Sequence, residues 1–278
     1  CIAGFLSGLI DQVVDWNCRL SMWISQNEQV GRAFSGPGVA MLWDYAETDQ
    51  LMTGPANLWS KLDRIAKGAS SIPKFSGKAN VVKAAAQNLP YESEKFDAVV
   101  TDPPYYDNIY YSILSDFFYA WKKPLLNILE PENKWNQTTD FSNELVASSQ
   151  RSGSSKKAHE DYCTELTKAV KEASRVLKKD GVLSFVYSHN SLLGWEAIVK
   201  AYRKTNLKIS SAQPLSIERR QRPRSMTSKA KNTCIAFVSR KTATPKQKVS
   251  MRTLLNDLEG HFIAFGQELT LAGWEDDD

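Results

Sequence analysis

FDAVVTDPPYYDN, residues 96–108, is the stretch whose reading decides the fold. Its first half is a run of apolar and β-branched residues of strand length. An acid, two prolines and two tyrosines follow without a spacer. Proline cannot donate to a strand ladder, so the strand has to stop at Asp102. Before it, NVVKAAA (80–86) reads as a short apolar run. After it, YSILSDFFYAW (111–121) seeds a helix, with Phe117, Phe118 and Trp121 expected in the core. A polar stretch, 130–157, reads as a mobile insertion. Tyr162, Leu166, Ala169, Val170, Ala173, Val176 and Leu177 then recur at three- and four-residue spacing, which predicts an amphipathic helix that stops at Gly181. VLSFVYS (182–188) is a buried strand. A helix over 195–204, a strand near 207–212, a basic loop and the strand TCIAFVS (233–239) complete the pattern.

Strands that alternate with helices predict an α/β fold: a doubly wound, mostly parallel, Rossmann-like sheet that ends in an antiparallel hairpin. The residues before it, 1–75, read as a helical segment packing on a core of 76–240, and 241–278 as a C-terminal extension. Ligands of such sheets bind beyond the carboxyl ends of the strands. DPPY stands at one of those ends.

Asp102 offers carboxylate acceptors, and Pro103 a carbonyl with no N–H of its own beside it. Pro104 fixes the direction of that carbonyl, and Tyr105 offers a flat face. Together they describe a clamp for a planar group that bears an NH2. An exocyclic amine is a poor nucleophile because its lone pair is delocalised into the ring. Two accepted hydrogen bonds localise that pair and orient it. No metal is needed for this chemistry.

On these residues the sequence resembles the S-adenosylmethionine-dependent amino-methyltransferases, whose fourth motif is [DNS]-P-P-Y. With MLWDYAE (41–47) and RVLKKDGVLSFVYSHNSLLGWEAI (175–198), the phrase around DPPYYDN is similar to the adenine-specific DNA methylases that carry a DUF1156-type N-terminal region. The likeness spans roughly residues 5–240. It implies methylation of adenine N6 in DNA, in a restriction-modification or phage-defence setting, with S-adenosylmethionine as cofactor. It also implies that Asp102, Pro103 and Tyr105 receive and stack on the target base, with Pro104 as stiffener. The base must then leave the duplex, because N6 lies within the stack. Ala86 and Leu89 would neighbour the cofactor together with Asp102. The same clamp suits cytosine N4, an RNA base or a glutamine amide.

The chain departs from that family in two places. Gly36-Pro37-Gly38 is a turn rather than the family's Gly-rich cofactor loop, which is therefore expected in an upstream part of the protein or on a companion subunit. Ala85 stands where relatives place an acid. A module that binds DNA or a partner without activity of its own is the alternative. Starting on Cys1 and stopping in an acidic run, the chain reads as a piece of a longer polypeptide.

Net charge is only +4, so any basic surface has to be local. ERRQRPRSMTSKAK (218–231) supplies one: Arg219, Arg220, Arg222, Arg224, Lys229 and Lys231 against a single acid. Such a loop near the strand ends is expected to meet DNA phosphates. Arg151, Lys156 and Lys157 form a weaker basic group. Tyr106, Asp107, Asn108, Tyr110 and Tyr111 are expected to wall the base, and His189 to lie at the rim. Four scattered cysteines without a C-x-x-C pair point to reduced thiols and a cytoplasmic protein. No run is long enough to span a membrane.

Overall fold

The computed structural model describes residues 2–25, 28–34, 42–43, 46–54, 57–72, 77–216, 233–243 and 250–271. The chain divides into two compact units, 1–241 and 242–278. The second holds one helix, α7 (Met251–Leu271), where the residue pattern predicts only an extension.

The first unit is mixed α/β. In chain order it runs α1 (Ile2–Trp16), β1 (Trp23–Ile24), β2 (Gln29–Val30), α2 (Leu58–Ser70), β3 (Phe96–Thr101), α3 (Tyr111–Leu129), α4 (Ser149–Ser152), α5 (Ser155–Val176), β4 (Leu177–Tyr187), α6 (Leu192–Arg203), β5 (Leu207–Ser216) and β6 (Thr233–Lys241). Four strands form one sheet in the order β3-β4-β6-β5. β3 and β4 are parallel, while β6 runs antiparallel to both of its neighbours, so the sheet is mixed and not mostly parallel as the alternation of strands and helices predicts. β3, β4 and β5 therefore end on the same side, where β6 begins. β1 and β2 make a separate two-stranded ribbon.

β4 alternates strictly in its second half, and this sets the core. Leu183, Phe185 and Tyr187 face α5 and α6, where they meet Tyr162, Leu166, Val170, Ala197, Ile198 and Ala201. Burial of this one face is the main stabilising term. Among the described residues the opposite face is exposed: Val100, at 76% exposure, shares it with Ala98 and the half-buried Val182, Ser184 and Val186. Among the described residues β3 pairs only with β4, which leaves its other edge open.

Several expectations need correction. NVVKAAA forms no strand; residues 79–85 carry no regular secondary structure, and Val81 is 93% exposed. The long helix stops at Val176 rather than at Gly181. Phe96 pairs with Leu177 but Ala98 with Val182, so residues 178–181 bulge out of β4 and Gly181 lies within the strand. A Cβ there would come within 3.0 Å of the Asp97 carbonyl, so glycine serves a close approach and not a helix end. Trp121 is not core: it is 57% exposed, and no residue of α3 is buried.

Within the stretch 130–157, residues 141–148 are held against the protein. The Arg151 guanidinium donates to the carbonyls of Phe141, Glu144 and Val146 at 2.9, 2.7 and 2.7 Å, and Val146, Ala147 and Ser148 are buried beneath it. Ser154 caps α5 by accepting from the Lys157 N–H. Arg151 is thus spent inside the protein, and Lys157 is paired with Asp161 at 2.9 Å. Lys156, the third member of the weaker basic group, is exposed.

Candidate functional site

β3 delivers Asp102 to the carboxyl end of the sheet, as a strand ended by two prolines must. Asp102 is exposed, and Pro103, Pro104 and Tyr105 are half-buried. The Tyr105 hydroxyl donates to Asp102 Oδ1 at 2.5 Å, a bond that the sequence reading, with a stacking role alone for Tyr105, does not foresee. Burial, and then the adjacent carboxylate, push the Tyr105 phenol well above its ordinary range, so it stays protonated and keeps donating. Its ring meets Tyr187 edge-on with centroids 5.3 Å apart. Asp102 is therefore held by one oxygen. Oδ2 has no partner among the described residues.

The two proline carbonyls have different fates. Pro104 accepts from the Tyr162 hydroxyl at 2.8 Å and from the Tyr106 N–H at 3.2 Å. No donor among the described residues reaches the Pro103 carbonyl. The corner thus presents two unengaged acceptors, Asp102 Oδ2 and Pro103 O, and closes the third.

Tyr106 does not wall the site. It is buried, with φ +54°, a left-handed conformation that a bulky residue adopts only where its surroundings enforce it. Those surroundings are specific. Its N–H donates to Tyr162 Oη at 3.2 Å, its carbonyl accepts from the Ala147 N–H at 2.9 Å, and its hydroxyl lies 3.1 Å from His159 Nδ1. Tyr111, the first residue of α3, is 47% exposed, and its phenol is pushed up by burial and then by the charge of Asp102, which puts it within electrostatic reach of the corner.

His189 is buried and structural. Its Nδ1 accepts from the Ser191 N–H at 3.0 Å, so in the neutral ring the proton belongs on Nε2, which lies 3.0 Å from Asp107 Oδ1. This pair ties the turn after β3 to the turn after β4. The α6 helix starts directly beneath, and a Cβ on Gly194 would lie 2.6 Å from the His189 ring.

Ala86, expected beside the cofactor, is exposed. Leu89 has both main-chain groups occupied: its N–H donates to Glu172 Oε2 at 3.0 Å and its carbonyl accepts from Arg175 Nη2 at 3.1 Å. Those partners sit in the last turns of α5, ten or more residues beyond Tyr162 and so about 15 Å along the helix from the corner. Among the described residues no hydrogen bond joins Ala86 or Leu89 to the corner. Arg219, Arg220, Arg222, Arg224, Lys229 and Lys231 lie outside the described residues, as do residues 36–38. The strands that flank the basic run are described: Ser216 pairs with Thr233, and Tyr187 with Ile235, at the corner's end of the sheet. Cys234 beside them is buried, and its thiol is raised by burial and then by Asp102.

Two hollows lie elsewhere. One, of about 360 Å3, is lined by Lys171, Arg175, Lys204 and Lys241 with three polar residues. Another, of about 340 Å3, lies between α1 and α2. Among the described residues no three metal-ligating side chains converge, and no helix is long and apolar enough to cross a membrane. No family model, curated protein or solved structure matches the chain.

Sequence reasoning misses Tyr162, His159 and the role of Tyr106. Tyr162 falls on the apolar stripe of its helix, and nothing in that spacing marks its hydroxyl as engaged.

Proposed function

We propose that the corner is the amine acceptor of an S-adenosylmethionine-dependent methyltransferase acting on DNA, with adenine N6 as the target. One observation carries the reading: at the carboxyl end of β3, Asp102 Oδ2 and the carbonyl of the next residue, Pro103, have no partner among the described residues, while the Pro104 carbonyl and Asp102 Oδ1 are taken. Two acceptors on successive residues suit the two N–H bonds of one exocyclic amine. The flipped base donates to both, its lone pair is localised on nitrogen, and the amine is aimed out of the ring plane. Tyr105 orients Asp102 from behind, and Tyr111 offers an exposed ring on the flank. Transfer would form the N–CH3 bond as the methyl–sulfur bond of the cofactor breaks, releasing the neutral thioether S-adenosylhomocysteine, and the extra proton would leave to water or to Asp102.

S-adenosylmethionine would supply the methyl group. The exposed main chain of residues 81–84, which carries no partner among the described residues, suits the polar edge of its adenine, with Ala86 and the Leu89 side chain beside it. Support for DNA comes from the basic run 218–231, because it joins two strands whose paired ends lie on the corner's side of the sheet.

The sheet order, with helices on one face and β3 open, is read as one half of a doubly wound, Rossmann-like fold. The cofactor's Gly-rich loop would then come from an upstream part of the protein or a companion subunit that adds to β3. That same bare face favours a second reading, a methylase-like module that binds DNA or a partner without activity of its own.

Asp102→Ala is expected to abolish transfer of labelled methyl to DNA while leaving DNA affinity within about twofold, since affinity rests on phosphate contacts. Undiminished transfer by the variant would overturn the role of Asp102.

A further inference from the structure

We infer that Tyr162 is a positioning residue for the amine acceptor: its hydroxyl decides which of the two proline carbonyls faces the target. The inference rests on the reading of the corner as an amine acceptor and extends it to a residue that touches neither base nor cofactor.

Tyr162 lies in the third turn of α5, is 1% exposed, and sends its phenol up against the underside of the turn. The hydroxyl does two things there. It donates to Pro104 O at 2.8 Å, and it accepts from Tyr106 N at 3.2 Å. A single oxygen thus closes the carbonyl of one residue and the N–H of the next but one. Because Pro104 has no N–H and a fixed φ, holding its carbonyl against α5 fixes the peptide that follows it, and the Pro103 carbonyl is the one of the two with no donor among the described residues.

The lock extends beyond one bond. Tyr106 turns the chain back at positive φ, its ring packs edge-on against Tyr162 at 5.1 Å and against His189 at 5.2 Å, and its hydroxyl reaches His159, which precedes Tyr162 by one turn of α5. α5 therefore grips the corner at two successive turns. Without the Tyr162 hydroxyl, Pro104 O keeps only the longer bond from the Tyr106 N–H, at 3.2 Å, and has acceptor capacity left to compete, while the Tyr106 N–H loses one of its two acceptors. Two adjacent carbonyls then compete for one amine. Such misalignment acts on the chemical step, because small displacements of a positioned group cost roughly a hundredfold in rate. Phosphate contacts, and hence DNA affinity, are untouched.

The test compares full-length wild-type protein with Tyr162→Phe and Tyr202→Phe in steady-state transfer of labelled methyl to duplex DNA. Tyr202 supplies a control in the same core: it is buried, and its hydroxyl accepts from Ser239 at 3.0 Å, away from the corner. Tyr162→Phe is expected to lower kcat roughly ten- to a hundredfold with KM for DNA within about twofold. Tyr202→Phe should keep the wild-type kcat. Wild-type kcat in Tyr162→Phe overturns the inference, and so does an equal loss in both variants, which would mark a merely structural phenol. If Tyr162→Phe fails to fold, 3-fluorotyrosine placed at 162 keeps ring and hydroxyl but alters the donor's strength. It should change kcat by at least about twofold at constant KM, and an unchanged kcat again overturns the inference. A wild-type protein that transfers no methyl group defeats the reading of the corner, and the inference falls with it, an outcome distinct from failure at Tyr162 alone.

Discussion

Lys61, in α2, is buried at 3% exposure with its ammonium 4.2 Å from the Trp16 ring. Burial, reinforced by repulsion from Arg64 and opposed by Asp15, pushes its pKa down to about 8 from 10.5. The fold therefore disfavours the charged form. Below pH 8 both folded and unfolded chains hold the proton, and the destabilisation is complete. Between about 8 and 10.5 the unfolded chain holds more of it, so stability rises with pH across that window, by up to about 3 kcal/mol for a shift of this size. Urea denaturation at pH 7.5 and pH 10 should show this rise in the wild-type protein and a smaller one in Lys61→Met; equal rises would contradict it. Residue-scale reading of the sequence locates Asp102 and Pro103 because strand-then-diproline is a local signal. It errs on Tyr106 and Arg151, whose partners come from elsewhere in the chain: Tyr162, Ala147 and His159 for the one, three carbonyls of the 141–146 stretch for the other.

Among the elements, those with a clear period are legible. The apolar stripe of α5 and the β-branched runs of β3, β4 and β6 all appear, and β5 and β6 pair antiparallel as the final hairpin. NVVKAAA misleads because a short apolar run becomes a strand only if another strand accepts it, and among the described residues none does. The boundary between α5 and β4 is obscured by a bulge in which residues 178–181 stand opposite Asp97 alone, which a glycine signals as readily as a helix stop. At this scale the basic run between β5 and β6 carries a prediction. Replacing Arg219, Arg220, Arg222 and Arg224 by Gln should flatten the dependence of log affinity on log salt for duplex DNA, by about 0.9 for each phosphate that is no longer neutralised. An unchanged slope would remove that run from the interface.

For the molecule as a whole, the asymmetry of the sheet is decisive. One face is sealed by α5 and α6 around Leu183, Phe185 and Tyr187, and the turns at its carboxyl end are braced by Tyr105, Tyr162 and the His189–Asp107 pair. The other face and the β3 edge expose Val100 and Ala98 among the described residues, and a sheet in which only β3 and β4 are parallel, unlike an all-parallel one, can leave a face to solvent. Composition and pattern foretell an α/β domain and cannot foretell one face left bare, since a strand covered on both sides and a strand covered on one differ little in so short a run. The central claim, that the corner after β3 holds an exocyclic amine for methylation, is tested most directly by product identity. Duplex DNA incubated with the protein and S-adenosylmethionine labelled in its methyl group, digested to nucleosides and resolved chromatographically, should carry the label on N6-methyldeoxyadenosine, and Asp102→Ala should leave that peak empty. Label on no nucleoside, or an equal peak from the variant, would contradict the claim.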